Sequence, residues 1–163
     1  MVDPLATDGG IYSQMSVEDT LRCAEDDIAE EVKRVRKQHI LRHTDLLVYQ
    51  RAFGAATALF TLSRRFPPEE KYSLTDQIRR SSRSVAANIA EGCRKRRYAA
   101  SFVSKLNDAE GEAAESQSWL QFAVDAQYVT PAEARPLYSE YDQIIGMLLH
   151  MQNHPEDWAL TKG

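Results

Sequence analysis

Apolar residues return every third or fourth position in five separate runs along this chain, the spacing of amphipathic helices rather than strands. Val17, Leu21, Ala24, Ile28, Val32 and Val35 form the first stripe, and Ser16 stands where a helix N-cap is wanted. Acidic residues lead that run and basic ones end it, an order that suits the helix macrodipole. A second helix is predicted from Thr44–Asp45 to about Arg65, with Leu46, Tyr49, Phe53, Ala56 and Phe60 as its buried face. Leu47, Leu59 and Leu62 widen that face. Pro67 and Pro68 end it, because neither can donate a backbone hydrogen bond. Helix resumes near Ser73–Leu74 with Leu74, Ile78, Val85 and Ile89 as its stripe, and Gly92 either ends or bends it.

The next run, Tyr98 to Gln127, has the clearest period. Phe102, Leu106, Ala109, Ala113, Ser116, Leu120 and Ala123 alternate by four and three, the seam of a helical bundle. Its small middle residues permit close helix approach. Thr130-Pro131-Ala132-Glu133 is a helix start with a cap, a first-position proline and a capping-box glutamate. Leu137, Tyr141, Ile144, Ile145, Leu148 and Met151 line the last helix, in which Pro136 predicts a kink or a break. Short links make neighbouring helices antiparallel, so the fold class is all-α, an up-down-up-down four-helix bundle with an additional N-terminal helix. The organisation reads as a mobile tail (1–15), an extra helix and link (16–43), the bundle (44–152) and a C-terminal tail (153–163).

Composition supports helices: 7 Gly and 6 Pro in 163 residues leave few turns. Two distant cysteines, Cys23 and Cys93, match no metal spacing. No basic-then-apolar leader opens the chain and no run approaches a membrane span, so a cytoplasmic protein is expected. The formal net charge of −4 carries no global nucleic-acid signature. Positive charge is instead concentrated in one segment, Gln77–Tyr98 (QIRRSSRSVAANIAEGCRKRRY).

Catalytic chemistry finds no foothold in these patterns. Ser81, Ser82 and Ser84 have no local histidine base. His150 and His154 share a helix face but lack a third metal ligand, which favours a helix-end role. Glu110, Glu112 and Glu115 lack the Glu-x-x-His pairing of di-iron bundles and read as outer-face residues or arginine partners. No catalytic residue, metal or cofactor is therefore expected. The basic segment differs: on a continuous helix Arg79, Arg83, Ala87, Ala90, Arg94 and Arg97 make one ridge, and Arg94, Lys95, Arg96 and Arg97 crowd its end. Clustered cations raise phosphate affinity. The alternative is a solvated face whose arginines pair with Asp108, Glu110, Glu112 or Glu115. Aromatic stacking residues are sparse in the segment, with Tyr98 and Phe102 near.

Three stretches, DLLVYQRA (45–52), RFPPEEKYSLTDQIRRSSRSVAANIAEG (65–92) and SFVSKLNDAEGEAAESQSWLQFA (101–123), resemble the 23S ribosomal RNA intervening-sequence proteins. Asp45, Leu46, Val48, Tyr49 and Gln50 fit that family's first motif; Phe66, Pro67, Glu70, Tyr72 and Leu74 fit its second. Gln77, Arg79 and Arg80 follow, then Asn88 through Gly92. Tyr49 stands for the usual tryptophan, Ser73 for the usual glycine and Ala100 for a common glutamate. The resemblance covers about two thirds of the chain and leaves the first 44 residues without counterpart.

It implies a four-helix protomer in a homopentameric barrel, with neither catalysis nor cofactor. Some relatives are encoded within ribosomal RNA insertions. A related branch, the accessory variability proteins of diversity-generating retroelements, binds a reverse transcriptase and nucleic acid through basic surfaces. The expectation is thus an oligomeric accessory protein binding RNA or DNA through Arg79, Arg83, Arg94, Lys95, Arg96 and Arg97, with Asn88, Glu91 and Gly92 structural. The competing expectation is a protein-interaction scaffold whose arginines bridge to a neighbouring subunit or partner.

Overall fold

The computed structural model describes residues 40–160; the predicted first helix and the tail ahead of it lie outside them, as do the last three residues. Four helices follow one another up-down-up-down: α1 (Leu47–Ser63), α2 (Leu74–Arg94), α3 (Ala99–Asp125) and α4 (Pro131–Asn153). Short 3-10 turns at His43–Asp45, Pro68–Glu70 and Pro155–Asp157 punctuate them. Each helix packs on its chain neighbours, and α4 closes on α1; the α2–α3 seam is the most extensive.

That seam is tight because its residues are small. Ala109, Ala113 and Ser116 of α3 and Ser81, Ser82 and Ala86 of α2 are all buried. The hydroxyls of Ser81 and Ser116 meet at 2.9 Å across the seam, which satisfies polar groups that the core would otherwise penalise. Above and below it, Ile78, Val85, Ile89, Phe102, Leu106 and Leu120 are fully enclosed. Each such side chain contributes about 1.5–3 kcal/mol relative to exposure. From α4, Tyr141, Ile144 and Leu148 complete the core. The Tyr141 hydroxyl is buried, and burial pushes its pKa upward against the opposing pull of Ser116.

The stripes predicted for α2 and α3 are the ones buried. On α1 the expected face is wrong in part: Leu46, Ala56 and Leu59 are buried, but Phe53 is 59% exposed, Leu47 58% and Phe60 40%. Val48, Ala52, Ala55 and Leu59 take the core side instead. The helix is apolar nearly all round, so two stripes compete. The stripe of Val48, Ala52, Ala55 and Leu59 is the one that tertiary packing buries.

Pro136 neither breaks α4 nor ends it; the helix is continuous from Pro131 to Asn153. The missing N–H would have served Ala132 in the first turn, and both residues are exposed, where water can replace the bond. Gly92 does not end α2 either, which runs on to Arg94. The predicted cap of α4 forms in full: Glu133 N–H donates to Thr130 Oγ1 at 3.3 Å, and Thr130 N–H donates to Glu133 Oε2 at 2.9 Å. Arg65 reaches the other oxygen of Glu133 at 2.8 Å.

Hydrogen bonds from Arg65, then from Thr130, pull the Glu133 carboxyl from 4.5 to about 2. A lowered pKa gives stability that is present above the ordinary range and lost as pH falls from 4.5 toward about 2. Thr130→Ala removes one half of the cap and should cost about 1 kcal/mol. A melting temperature about 3–5 °C lower at neutral pH is expected by circular dichroism. The difference from the parent should shrink as Glu133 is protonated in acid.

Candidate nucleic-acid interface

With 100° of rotation per residue, positions 79, 83, 87, 90 and 94 of α2 fall within an arc of about 80°. α2 is continuous through these positions, so they share one face, whereas Arg97, predicted on the same ridge, lies past the helix end in the turn. The opposite face of α2, with Ile78, Val85 and Ile89, is anchored in the core and fixes the ridge outward. Arg83, Arg94 and Arg97 are exposed, Arg79 is half-buried, and Ala87 and Ala90 space them.

The basic residues of this segment divide by what they touch. Arg80 is committed to α3, 2.6 Å from Glu115 and 3.6 Å from Glu112. Lys95 pairs with Glu91 one turn back at 2.7 Å. Arg96 departs most from expectation: it is 5% exposed and turned inward. Its guanidinium donates to the carbonyls of Cys93 at 2.9 Å and Ile40 at 3.2 Å, where it fastens the α2–α3 turn to the chain entering the bundle. Within the turn, Arg96 occupies the inner position while Arg97 stays exposed. Arg96 thus leaves the candidate surface.

Arg79 donates to Ser63 Oγ at 2.7 Å, and its guanidinium lies 4.7 Å from the centroid of the Phe60 ring. Arg83 lies 5.5 Å from the same ring. Among the described residues, Arg79, Arg83, Arg94 and Arg97 have no carboxylate partner. The pairing expected with Asp108 and Glu110 is not made by these arginines. Glu110 accepts instead from Gln152 at 2.8 Å. Burial pushes Glu112 upward, against the pull of Arg80, and one of its oxygens has no partner.

Asn88, Glu91 and Gly92 converge on one side chain that the sequence reading missed, Lys105 of α3. Lys105 Nζ stands 3.5 Å from Asn88 Oδ1, 3.1 Å from Glu91 Oε2 and 3.1 Å from Asp108. Hydrogen bonds donated to Asp108, then to Glu91, raise the Lys105 pKa, and hydrogen bonds from Lys95, then Lys105, lower that of Glu91. Gly92 lets the helices close here: a Cβ at that position would lie 3.3 Å from Lys105 Cβ. The Asn-Ile-Ala-Glu-Gly run is therefore a clasp between α2 and α3. Glu70 does similar work at the other end, accepting from Ser73 Oγ, from Leu74 N–H at 3.1 Å and from the Tyr128 hydroxyl at 3.0 Å.

The two aromatics expected near the cations separate. Tyr98 is 71% exposed, whereas Phe102 belongs to the core at 1%. The rings nearest the arginines come from α1, which a scan of the basic segment alone would not find. Among the described residues, no three His, Cys, Asp or Glu side chains are placed to hold a metal ion, and no helix is long and apolar enough to cross a membrane. His150 and His154 meet at the end of α4 with ring centroids 4.9 Å apart and planes tilted by 48°, and His154 lies 3.6 Å from Glu156. Cys93 is a buried free thiol; burial raises its pKa.

Residues 44–150 match the family model described as 23S rRNA-intervening sequence protein. Six chains among solved structures also match. One is a protein of unknown function from the S23 ribosomal protein family of Bacteroides thetaiotaomicron VPI-5482. It is 27% identical, with a TM-score of 0.59 over 65% of this chain and 98% of that one. No curated protein matches.

Proposed function

Because this chain belongs to the 23S rRNA-intervening sequence protein family, we propose that it is a non-enzymatic cytoplasmic accessory protein. In this reading it binds RNA or DNA electrostatically through Arg79, Arg83, Arg94 and Arg97. The carrying observation is the division of the basic segment. Arg80, Lys95 and Arg96 are engaged within the fold, while these four cations lie along one ridge and turn without a carboxylate partner among the described residues. Phosphates are the ligands such a row suits, since affinity grows with the number of cations presented together.

The protomer acts in a homopentameric ring, which repeats the patch around the assembly. Support for self-association comes from an apolar groove between α1 and α4, lined by Leu47, Met147 and Trp158 among others. A reverse transcriptase is the candidate protein partner, by resemblance to the retroelement accessory proteins. Titration of the full chain against labelled structured RNA and duplex DNA at low salt tests the binding. Saturable binding of either is expected; none would overturn the reading.

The same groove favours the second reading, a scaffold whose exposed arginines bridge to acidic residues of a neighbour. Sedimentation in the presence and absence of nuclease separates the two: a pentamer that never carries nucleic acid would favour the scaffold.

A further inference from the structure

α1 leaves two aromatic side chains exposed and a third packed at the core's edge, in line with the arginines of α2. Phe53 and Phe60 are 59% and 40% exposed and Tyr49 is half-buried. Tyr49 stacks on Phe53 with centroids 6.2 Å apart and ring planes 29° from parallel. Phe60 carries the guanidiniums of Arg79 and Arg83 against its ring. The helices run antiparallel, so eleven residues back from Phe60 and eleven on from Arg83 bring Tyr49 and Arg94 to one level. That level is about 16 Å along the bundle. Between Phe53 and Phe60 the exposed positions are Gly54, Thr57 and Ala58, small and uncharged, and between Tyr49 and Phe53 the exposed position is the neutral Gln50. Cations flank this row of rings, and no acid lies on α1 between them.

Exposed phenylalanines forgo the stabilisation that burial would give, so two in register form an informative patch. An apolar protein partner would cover Arg79 and Arg83 together with Phe60, and would desolvate two guanidiniums without compensation. A duplex keeps its base faces stacked inside itself and could use only the cations. An unpaired strand satisfies both features, since bases stack on rings and phosphates take the guanidiniums. We propose that this strip binds single-stranded nucleic acid, with bases on Tyr49 and Phe53 and phosphates on Arg79, Arg83 and Arg94. The inference rests on the nucleic-acid-binding reading above and narrows its ligand.

The test measures anisotropy of fluorescein-labelled oligothymidylate and oligouridylate, alone and annealed to their complements, with the full chain. Tyr49→Ala/Phe53→Ala should weaken single-strand binding roughly 30-fold or more and leave duplex binding within about twofold. Phe53→Trp should retain single-strand binding. If the double variant binds single strands like the parent while Arg94→Glu/Arg97→Glu does not, the strip is wrong and the basic surface stands. If the parent binds neither form, both readings fall. If the double variant instead changes the sedimenting mass and keeps its single-strand affinity, the strip is a contact between copies of this chain and the proposal is overturned.

Discussion

Exchange of Arg94 and Arg97 for glutamate should weaken binding to structured RNA and duplex DNA by roughly tenfold or more at about 0.1 M salt. Both side chains are exposed and have no partner among the described residues, so the change removes two phosphate contacts and adds two repulsions. The loss should be similar for unrelated nucleic-acid sequences, because phosphate contacts carry no sequence information. Stability changes little by comparison. Arg94 closes the last turn of α2, where a cation is worth about 0.3–1 kcal/mol against the helix dipole, so a melting temperature a few degrees lower is expected. Glutamine at both positions should give an intermediate affinity. Arg96→Ala is the informative contrast: it frees the carbonyls of Cys93 and Ile40 inside the fold, and it should lower stability more than affinity.

Phe102→Ala should destabilise the bundle by about 3–5 kcal/mol, the cost of deleting a buried ring and leaving a cavity. At 1% exposure Phe102 has nowhere to relax, and it packs where Gly92 brings α2 against α3. The expected fall in melting temperature is about 10–20 °C. Phe102→Leu should recover most of that loss. If Phe102 instead stacked on bases, as its place beside the basic turn first suggests, the leucine variant would fold normally and bind poorly. Calorimetry and anisotropy on the same two variants decide between these roles.

The four bundle helices, their order and most of their buried positions were legible because each depends on local periodicity and punctuation. The Thr130–Glu133 cap and the Phe102–Ala123 seam are local codes, and both form as read. On α1 the code is ambiguous: Ala52, Ala55 and Leu59 compete with Tyr49, Phe53 and Phe60, and tertiary approach decides between them. The same limit applies at the candidate interface. The ridge on α2 follows from spacing along one helix. That Arg96 turns inward, that Arg80 is held by α3 and that Phe60 underlies two arginines all depend on which helix stands beside which. Lys105 was missed for the same reason, since three motif residues meet it only after α2 and α3 pack.

The most direct test of the central claim is the salt dependence of nucleic-acid affinity for the full chain, measured by anisotropy on one duplex DNA from about 0.05 to 0.2 M salt. Four phosphate contacts predict that log K falls linearly with log salt, with a slope of about −3.6 for each bound patch. A slope near zero, or no binding at the lowest salt, would contradict it.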